Sequence, residues 1–381
     1  MNNQLWFMTS AFDYLKLEQI IGKAKEAGVQ GLDLCVFRRD GTRQDHVATH
    51  LDYEQFGPED ASRVIDLFNT NQLKLSIGAF ENLIGGDESE RVKNQNHLLR
   101  LIRIAHLLGG DENDVKVGTF VGYNHEMGNT EGGFQKNLDE YARIFRPIVK
   151  YAEDLGVTIL YENCPMEGWR SPGYTGTYNN LPGVLAARKL MYELIPSHAH
   201  GEIYDPSHDV WQNIDPAEVI KAMDIRRLHR IHVKATRNLD NASRTHWGAM
   251  YPMQLVDKGL AAKAGVPVPA HNWDRHNYEA MMPGFGGSDS MDWRKFVNEL
   301  NERGFAGPYE MENEANLSKG TGNEGAIMQG YKATQLFLAP MLWPLTDTGY
   351  AYDKRKNTSL KKRGGKDVKV VEMRELSESI S

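Results

Sequence analysis

Short apolar runs alternate with longer segments of helical period from Leu5 to about Phe305. This is the arrangement expected of repeated strand–helix units around a parallel sheet. Eight runs can be counted. The first, over 5–9, precedes a stretch over 15–27 in which Leu17, Ile20, Ile21 and Ala24 share one helical face, with Gly28 placed to end the helix. The second, over 31–37, leads through a polar loop with His46 and His50 to a helix over 58–71. The third, over 73–77, enters a glycine-rich segment over 78–86, suited to the wall of a pocket, and then a helix over 89–108. The fourth, over 115–121, is followed by Gly122-Tyr123-Asn124-His125-Glu126 and a helix over 134–155. Runs five to eight cover 157–161, the residues up to Tyr204, 228–233 and 308–312, with helices predicted over 181–194, 292–303 and 324–338. Asp215-Pro216-Ala217-Glu218 supplies an N-cap, a proline at the first helical position and a capping-box glutamate, so another helix starts there.

Three segments depart from this rhythm. The loop over 165–178, rich in Gly, Trp and Tyr, reads equally well as a substrate-facing lid or an ordinary surface loop. A stretch over 235–290 carries Trp247, Tyr251, His271, Trp273, His276 and Tyr278 with little periodicity, and a loop of that length is expected to be functional or an assembly surface. The tail from Asp353, with Lys354-Arg355-Lys356 and Lys361-Lys362-Arg363, has too few apolar residues for a core and is expected to be flexible or packed on a partner subunit. The expected organisation is thus one barrel domain over 1–340 and an extension over 341–381.

Charge and cysteine usage narrow the partners. With 44 Lys+Arg against 51 Asp+Glu the formal charge is −7, so no general basic field exists for a nucleic-acid backbone or an anionic membrane. Small molecules are the expected partners. The only cysteines, Cys35 and Cys164, form no CxxC pair, which fits a reducing compartment. The first residues lack the basic-then-apolar pattern of a secretion signal, and no run of about 18 apolar residues occurs, so a cytoplasmic protein is expected.

Candidate chemistry lies where the later runs stop. Run five ends in Tyr161-Glu162-Asn163-Cys164-Pro165, run six in Asp205-Pro206-Ser207-His208, run seven in His232-Val233-Lys234 and run eight in Glu312-Asn313-Glu314. In an eight-stranded parallel barrel all strand ends share one rim, where active sites sit. Glu162, Asp205, His232 and Glu312 would converge there, and three dry carboxylates side by side would repel unless a divalent cation joined them. The mixed oxygen and nitrogen donors suit Mn²⁺, Mg²⁺, Co²⁺, Fe²⁺ or Zn²⁺, and no thiolate singles out zinc.

Those four pieces, with His229-Arg230-Ile231 ahead of His232 and Gly304-Phe305-Ala306-Gly307-Pro308 ahead of Glu312, resemble the xylose isomerase-like TIM-barrel superfamily of sugar isomerases and epimerases over about 5–340. The resemblance implies a (β/α)8 fold and, by analogy with the D-tagatose 3-epimerase branch, one divalent metal, Mn²⁺ favoured, held by Glu162, Asp205, His232 and Glu312. It implies that a ketose is chelated and its proton moved through a metal-bound cis-enediolate, with Glu162 and Glu312 as the acid/base pair. His208 is then expected to contact a substrate oxygen, with Glu167 and Arg237 touching substrate. Lys234, two residues beyond His232, is placed to stabilise enediolate charge, and His125, in a loop after a strand end, is a further substrate-binding candidate. A homo-oligomer is expected.

The same superfamily contains inosose dehydratases and the larger subunits of C-glycoside deglycosidases, so a lyase acting on a keto-sugar, cyclitol or keto-glycoside is the alternative. Two further classes are distinguishable by their ligand sets. An endonuclease IV-type nuclease would need extra histidines for three zinc ions, with His46, His50 and His125 available, and a non-catalytic sugar sensor would need a broken ligand set. No glycine-rich phosphate cradle stands out, which favours a non-phosphorylated substrate.

Overall fold

The computed structural model describes residues 4–41, 47–166, 179–238, 278–305, 307–315, 323–342, 359–362 and 367–378, with short pieces at 259, 262–263, 265, 345–346 and 349–350. Eight parallel strands close a barrel. Seven follow in chain order: β1 (Leu5–Met8), β2 (Gly31–Cys35), β3 (Lys74–Gly78), β4 (Val117–Thr119), β5 (Ile159–Glu162), β6 (His200–Tyr204) and β7 (Leu228–Val233). After a two-stranded hairpin, β8 (Ala235–Asn238) with β9 (Tyr278–Met281), strand β10 (Tyr309–Met311) inserts between β7 and β1 and closes the ring. Nearly every strand residue is buried, because helices cover the outside and side chains fill the inside, which is why the strands read as continuous apolar runs.

The helices are α1 (Leu17–Ala27), α2 (Pro58–Thr70), α3 (Glu88–Leu107), α4 (His125–Gly128), α5 (Gly133–Leu155), α6 (Leu185–Leu194), α7 (Pro206–Trp211), α8 (Pro216–Ala222), α9 (Trp293–Glu302), α10 (Glu324–Leu342) and α11 (Met373–Glu378). Helix α1 buries Ile20, Ile21, Ala24 and Ala27 and stops at Gly28, whose φ of 71° suits glycine. Asp215 caps α8 by accepting from the Ala217 amide at 3.0 Å, and Asp292 caps α9 from the Lys295 amide at 2.9 Å.

Three departures from the sequence reading have physical causes. Strand β4 is shorter than its apolar run because the amides of Val121 and Gly122 bond to the Asn180 side chain, at 3.1 and 2.8 Å, instead of a neighbouring strand. Helix α7 was not predicted, although Asp205 and Pro206 repeat the cap-then-proline signature of Asp215 and Pro216. Within the stretch expected to lack regular structure, β8 and β9 pair antiparallel from Ala235↔Met281 to Asn238↔Tyr278; Trp247, Tyr251, His271, Trp273 and His276 lie outside the described residues.

The carboxy-terminal extension corrects another expectation, since its described residues from 359 onward lie on the barrel of their own chain. Asn69 and Asn113 each exchange two hydrogen bonds with its backbone: Asn69 donates to Leu360 O at 2.9 Å and accepts from its amide, and Asn113 treats Lys361 in the same way at 3.0 and 2.8 Å. Arg103 binds the Asp367 carboxylate and the Val368 carbonyl, and the Met373 amide donates to Asn96 at 2.8 Å, where α11 packs on α3 and α5. A segment held by its main chain needs no apolar pattern to dock, so its composition could not reveal it. Leu360 and Met373 are nonetheless buried. Deleting residues 359–381 is expected to lower the melting temperature by several degrees, since lost hydrogen bonds of about 1 kcal/mol each and two buried apolar side chains of roughly 1.5–3 kcal/mol outweigh the recovered chain entropy. Differential scanning fluorimetry checks this, and an unchanged melting curve contradicts it.

Candidate active site

Strand register builds the site. Glu162 is the last residue of β5, Asp205 follows β6, His232 lies in β7, and Glu312 follows β10. One ligand atom from each lies within 4.8 Å of the others, and all four side chains are buried. His232 Nδ1 is 3.1 Å from Glu162 Oε1 and 3.4 Å from Glu312 Oε2. Asp205 divides its two oxygens. Oδ1 accepts the Ser207 amide at 2.8 Å and caps α7, while Oδ2 stands 3.0 Å from both His208 Nε2 and Lys234 Nζ. His208 also reaches Glu162 Oε1 at 3.4 Å.

Neighbouring asparagines lock these strand ends. Asn163 accepts the Asp205 amide at 2.7 Å and donates to the Asp205 carbonyl at 3.0 Å, tying the β5 and β6 ends together. Asn180 donates to the carbonyls of Glu162 and Cys164 at 3.1 and 2.7 Å while holding the end of β4. Asn163 lies within the Tyr161-Glu162-Asn163-Cys164-Pro165 motif, whereas nothing in the local pattern marks Asn180, whose partners Val121, Gly122, Glu162 and Cys164 are distant in sequence. Phe80 meets His232 edge-on at 6.1 Å between centroids, and Trp211 packs on His208 at 4.6 Å, giving the cluster apolar walls.

Strands β7 and β10 carry a charge ladder. Arg230, His232 and Lys234 recur at every second position on one, Glu310, Glu312 and Glu314 on the other, with Glu310 paired to His232 in register. The rungs are Arg230 Nε to Glu310 Oε1 at 3.1 Å, His232 Nδ1 to Glu312 Oε2 at 3.4 Å, and Lys234 Nζ to Glu314 Oε2 at 2.8 Å. Lys234 Nζ also lies 2.8 Å from Glu312 Oε2. The alternation, which places like-facing residues on the barrel interior, was present in the sequence as Arg230-Ile231-His232-Val233-Lys234 and Glu310-Met311-Glu312-Asn313-Glu314, but Arg230, Glu310 and Glu314 were assigned no role.

Electrostatics follow the ladder. Burial opposes the charge of Glu162, yet His232 and His208 hold its carboxyl well below the usual range. Burial likewise opposes Asp205, and His208 with Lys234 outweighs it, so this carboxyl also lies low. In return Glu162 and Glu312 raise His232, Asp205 raises His208, and Asp205, Glu312 and Glu314 raise Lys234, each against burial. The donor set fits a divalent cation: three carboxylates and one imidazole nitrogen converge, and the fully buried Asp205 Oδ2 completes no well-aligned hydrogen bond. Binding there would displace a proton from His232.

The remaining predicted residues lie apart from this cluster or beyond description. His125 is buried in α4 with Nε2 2.5 Å from Asn179 Oδ1. Arg237, on β8, pairs with Glu279 on β9, so the hairpin that was not foreseen engages the guanidinium expected to touch substrate. Glu167 falls outside the described residues, as does His46. His50 lies 3.3 Å from the Thr9 carbonyl, so two of the three histidines considered for a trinuclear site are engaged elsewhere.

The chain belongs to the xylose isomerase-like TIM barrel family, whose model matches residues 21–335. Solved structures show the same fold at low identity. An L-ribulose 3-epimerase aligns with a TM-score of 0.54 at 14% identity, over 89% of this chain and 94% of that one. A D-psicose 3-epimerase in the presence of D-fructose gives 0.55 at 12%, over 89% and 99%. The probable 3-DHS dehydratase AsbF of Bacillus anthracis gives 0.52 at 15%, over 86% and 97%. Comparison with curated protein sequences found no match. Among the described residues no helix is long and apolar enough to cross a membrane.

Proposed function

We propose that the chain is a divalent-metal-dependent sugar isomerase or epimerase. The observation that carries this reading is the convergence of Glu162, Asp205, His232 and Glu312 at the carboxyl ends of consecutive barrel strands. Glu162, Asp205, His232 and Glu312 would hold the cation, with Mn²⁺ favoured. When bound, it would polarise the carbonyl of a ketose or hydroxy-ketone and make the adjacent C–H acidic.

The protein's own groups would then move the proton. One of Glu162 and Glu312 removes it from the carbon beside the carbonyl, leaving an enediolate, and the other returns a proton from the opposite face, inverting that carbon. Both carboxylates reach the same ring nitrogen, His232 Nδ1, at 3.1 and 3.4 Å, and their action on opposite faces of the substrate carbon is what the family resemblance implies. Lys234 offers a fixed positive charge beside the developing oxyanion, and His208, anchored by Asp205 and Glu162, offers a ring nitrogen to a substrate hydroxyl. The lyase reading shares the first proton removal and is favoured by the likeness to the probable dehydratase. The two buried free thiols, Cys35 and Cys164, support a reducing, cytoplasmic setting.

The test pairs elemental analysis with isotope exchange. About one divalent ion per chain, lost in Asp205→Asn and His232→Ala, together with solvent deuterium entering a ketose or keto-glycoside, is the expected result. Absence of metal after reconstitution sinks the reading. Release of water or an aglycone with the exchange would select the lyase.

A further inference from the structure

Beneath the proposed metal site lies a second layer of charge, buried at Arg230, Glu310 and Asp33, that the mechanism above does not use. Arg230 Nη2 binds the Asp114 carbonyl at 2.9 Å and its carboxylate at 3.0 Å at the barrel floor. Its guanidinium stacks over Trp6 at 4.9 Å, and Trp6 lies so close over Gly31 that a Cβ there would meet the indole at 2.3 Å. Arg230 Nε meets Glu310 Oε1 at 3.1 Å, and the other oxygen, Oε2, faces His232 Nε2 at 3.6 Å. His232 Nε2 makes no hydrogen bond, and it clusters with Glu310 and Asp33. The two ring nitrogens therefore look in opposite directions, Nδ1 up to Glu162 and Glu312, Nε2 down to Glu310.

We propose that Glu310 is a positioning residue, fixed by Arg230 so that it takes the Nε2–H of His232 and commits Nδ1 to the face on which the cation would be held. The inference rests on the metal site proposed above and deepens it. The chemical reason is general: an imidazole ligand that donates its other N–H to a carboxylate has its tautomer and ring plane fixed and its basicity raised. Here the carboxylate is itself immobilised, since Glu310 comes from the strand paired in register with His232 and its partner Arg230 is anchored to the floor by Asp114. Phe80 crosses the ring at 63° with centroids 6.1 Å apart, a contact that fixes neither the tautomer nor the nitrogen presented upward.

Two variants test the idea on folded protein. Glu310→Gln keeps an acceptor and loses the charge. The double variant Arg230→Met/Glu310→Leu removes the acceptor together with its own ion partner, so that neither member of that pair is left buried alone. Mn²⁺ affinity is measured by competition with a fluorescent chelator, alongside thermal melting without metal. The double variant is expected to bind about 10–100-fold more weakly, with Glu310→Gln between it and the wild type and one ion still bound per chain. In Zn²⁺-loaded protein, long-range ¹H–¹⁵N spectra should show His232 bound through Nδ1 in the wild type and a mixture of Nδ1- and Nε2-bound rings in the double variant. A purely structural role would leave that choice of nitrogen unchanged.

Wild-type affinity in the double variant overturns the positioning role while leaving the metal site standing. Two ions in the wild type, falling to one in Glu310→Gln, overturn it as well, because Asp33, Glu310 and His232 would then be ligands of a second cation. If the wild-type chain binds no Mn²⁺, the metal reading falls and this inference falls with it.

Discussion

Glu162→Gln and Glu312→Gln are each expected to remove turnover by at least about 10³-fold at saturating metal, because each deletes a proton-transferring group and a ligand charge with little change in volume. The fold should survive. Glu162 has two imidazole neighbours, at 3.1 and 3.4 Å, and a glutamine oxygen can still accept from them, so far-ultraviolet circular dichroism should be unchanged. The two variants need not be equivalent. If the two carboxylates act on opposite faces, each variant loses net inversion yet can still exchange the proton that its surviving glutamate faces, so deuterium should enter one epimer of the substrate in one variant and the other epimer in the second. Loss of all exchange in both variants would show that metal binding, and not proton transfer, was broken, which the metal content of the purified variants resolves. Wild-type-like rates in either variant would defeat the two-glutamate mechanism.

How far the chain could be read in advance depended on whether each signal was local. The barrel was legible because it is built from local repetition, eight apolar runs alternating with segments of helical period. The convergence of the four candidate ligands was legible because parallel strands convert sequence position into rim position, so Glu162, Asp205, His232 and Glu312 could be placed together without knowing any distance. What the sequence hid was pairing across space. Asn180 stabilises the ends of β4 and β5 through carbonyls and amides that no side-chain pattern encodes. The carboxy-terminal strap docks by its main chain on Asn69 and Asn113, and so escapes a reading based on apolar content. The pairing of Arg237 with Glu279 was hidden for a similar cause, since the antiparallel strand that brings Glu279 to it lies some forty residues away, across a poorly patterned insertion. The charge ladder is the intermediate case: its period-two alternation was visible on both strands, but only the pairing of β7 with β10, with Glu310 beside His232, shows that the basic strand lies against the acidic one.

That ladder makes Lys234→Met the second large effect. Lys234 Nζ lies within 3.0 Å of Asp205, Glu312 and Glu314 at once, and its side chain is almost wholly buried. Removing the ammonium leaves these carboxylates facing one another without their shared cation, a situation that costs on the order of 3–5 kcal/mol when one partner of a buried ion pair is deleted. The metal-free variant should therefore melt well below the wild type. Added Mn²⁺ should recover part of the loss, because a divalent ion held by Asp205 and Glu312 supplies positive charge to two of the three, while Glu314 is left without its lysine. Catalysis should not recover in step. With metal saturating, the rate is expected to stay down about 10²–10³-fold, the usual penalty for losing a preorganised charge beside a developing oxyanion. Lys234→Arg separates charge from shape: it keeps the positive charge but spreads it over a planar fork too broad for a point contact with three carboxylates, so it should restore stability more than rate. Melting curves with and without Mn²⁺, set beside deuterium exchange rates, decide the matter. A metal-free Lys234→Met variant that melts like the wild type would mean that the upper rung of the ladder does not hold the site together.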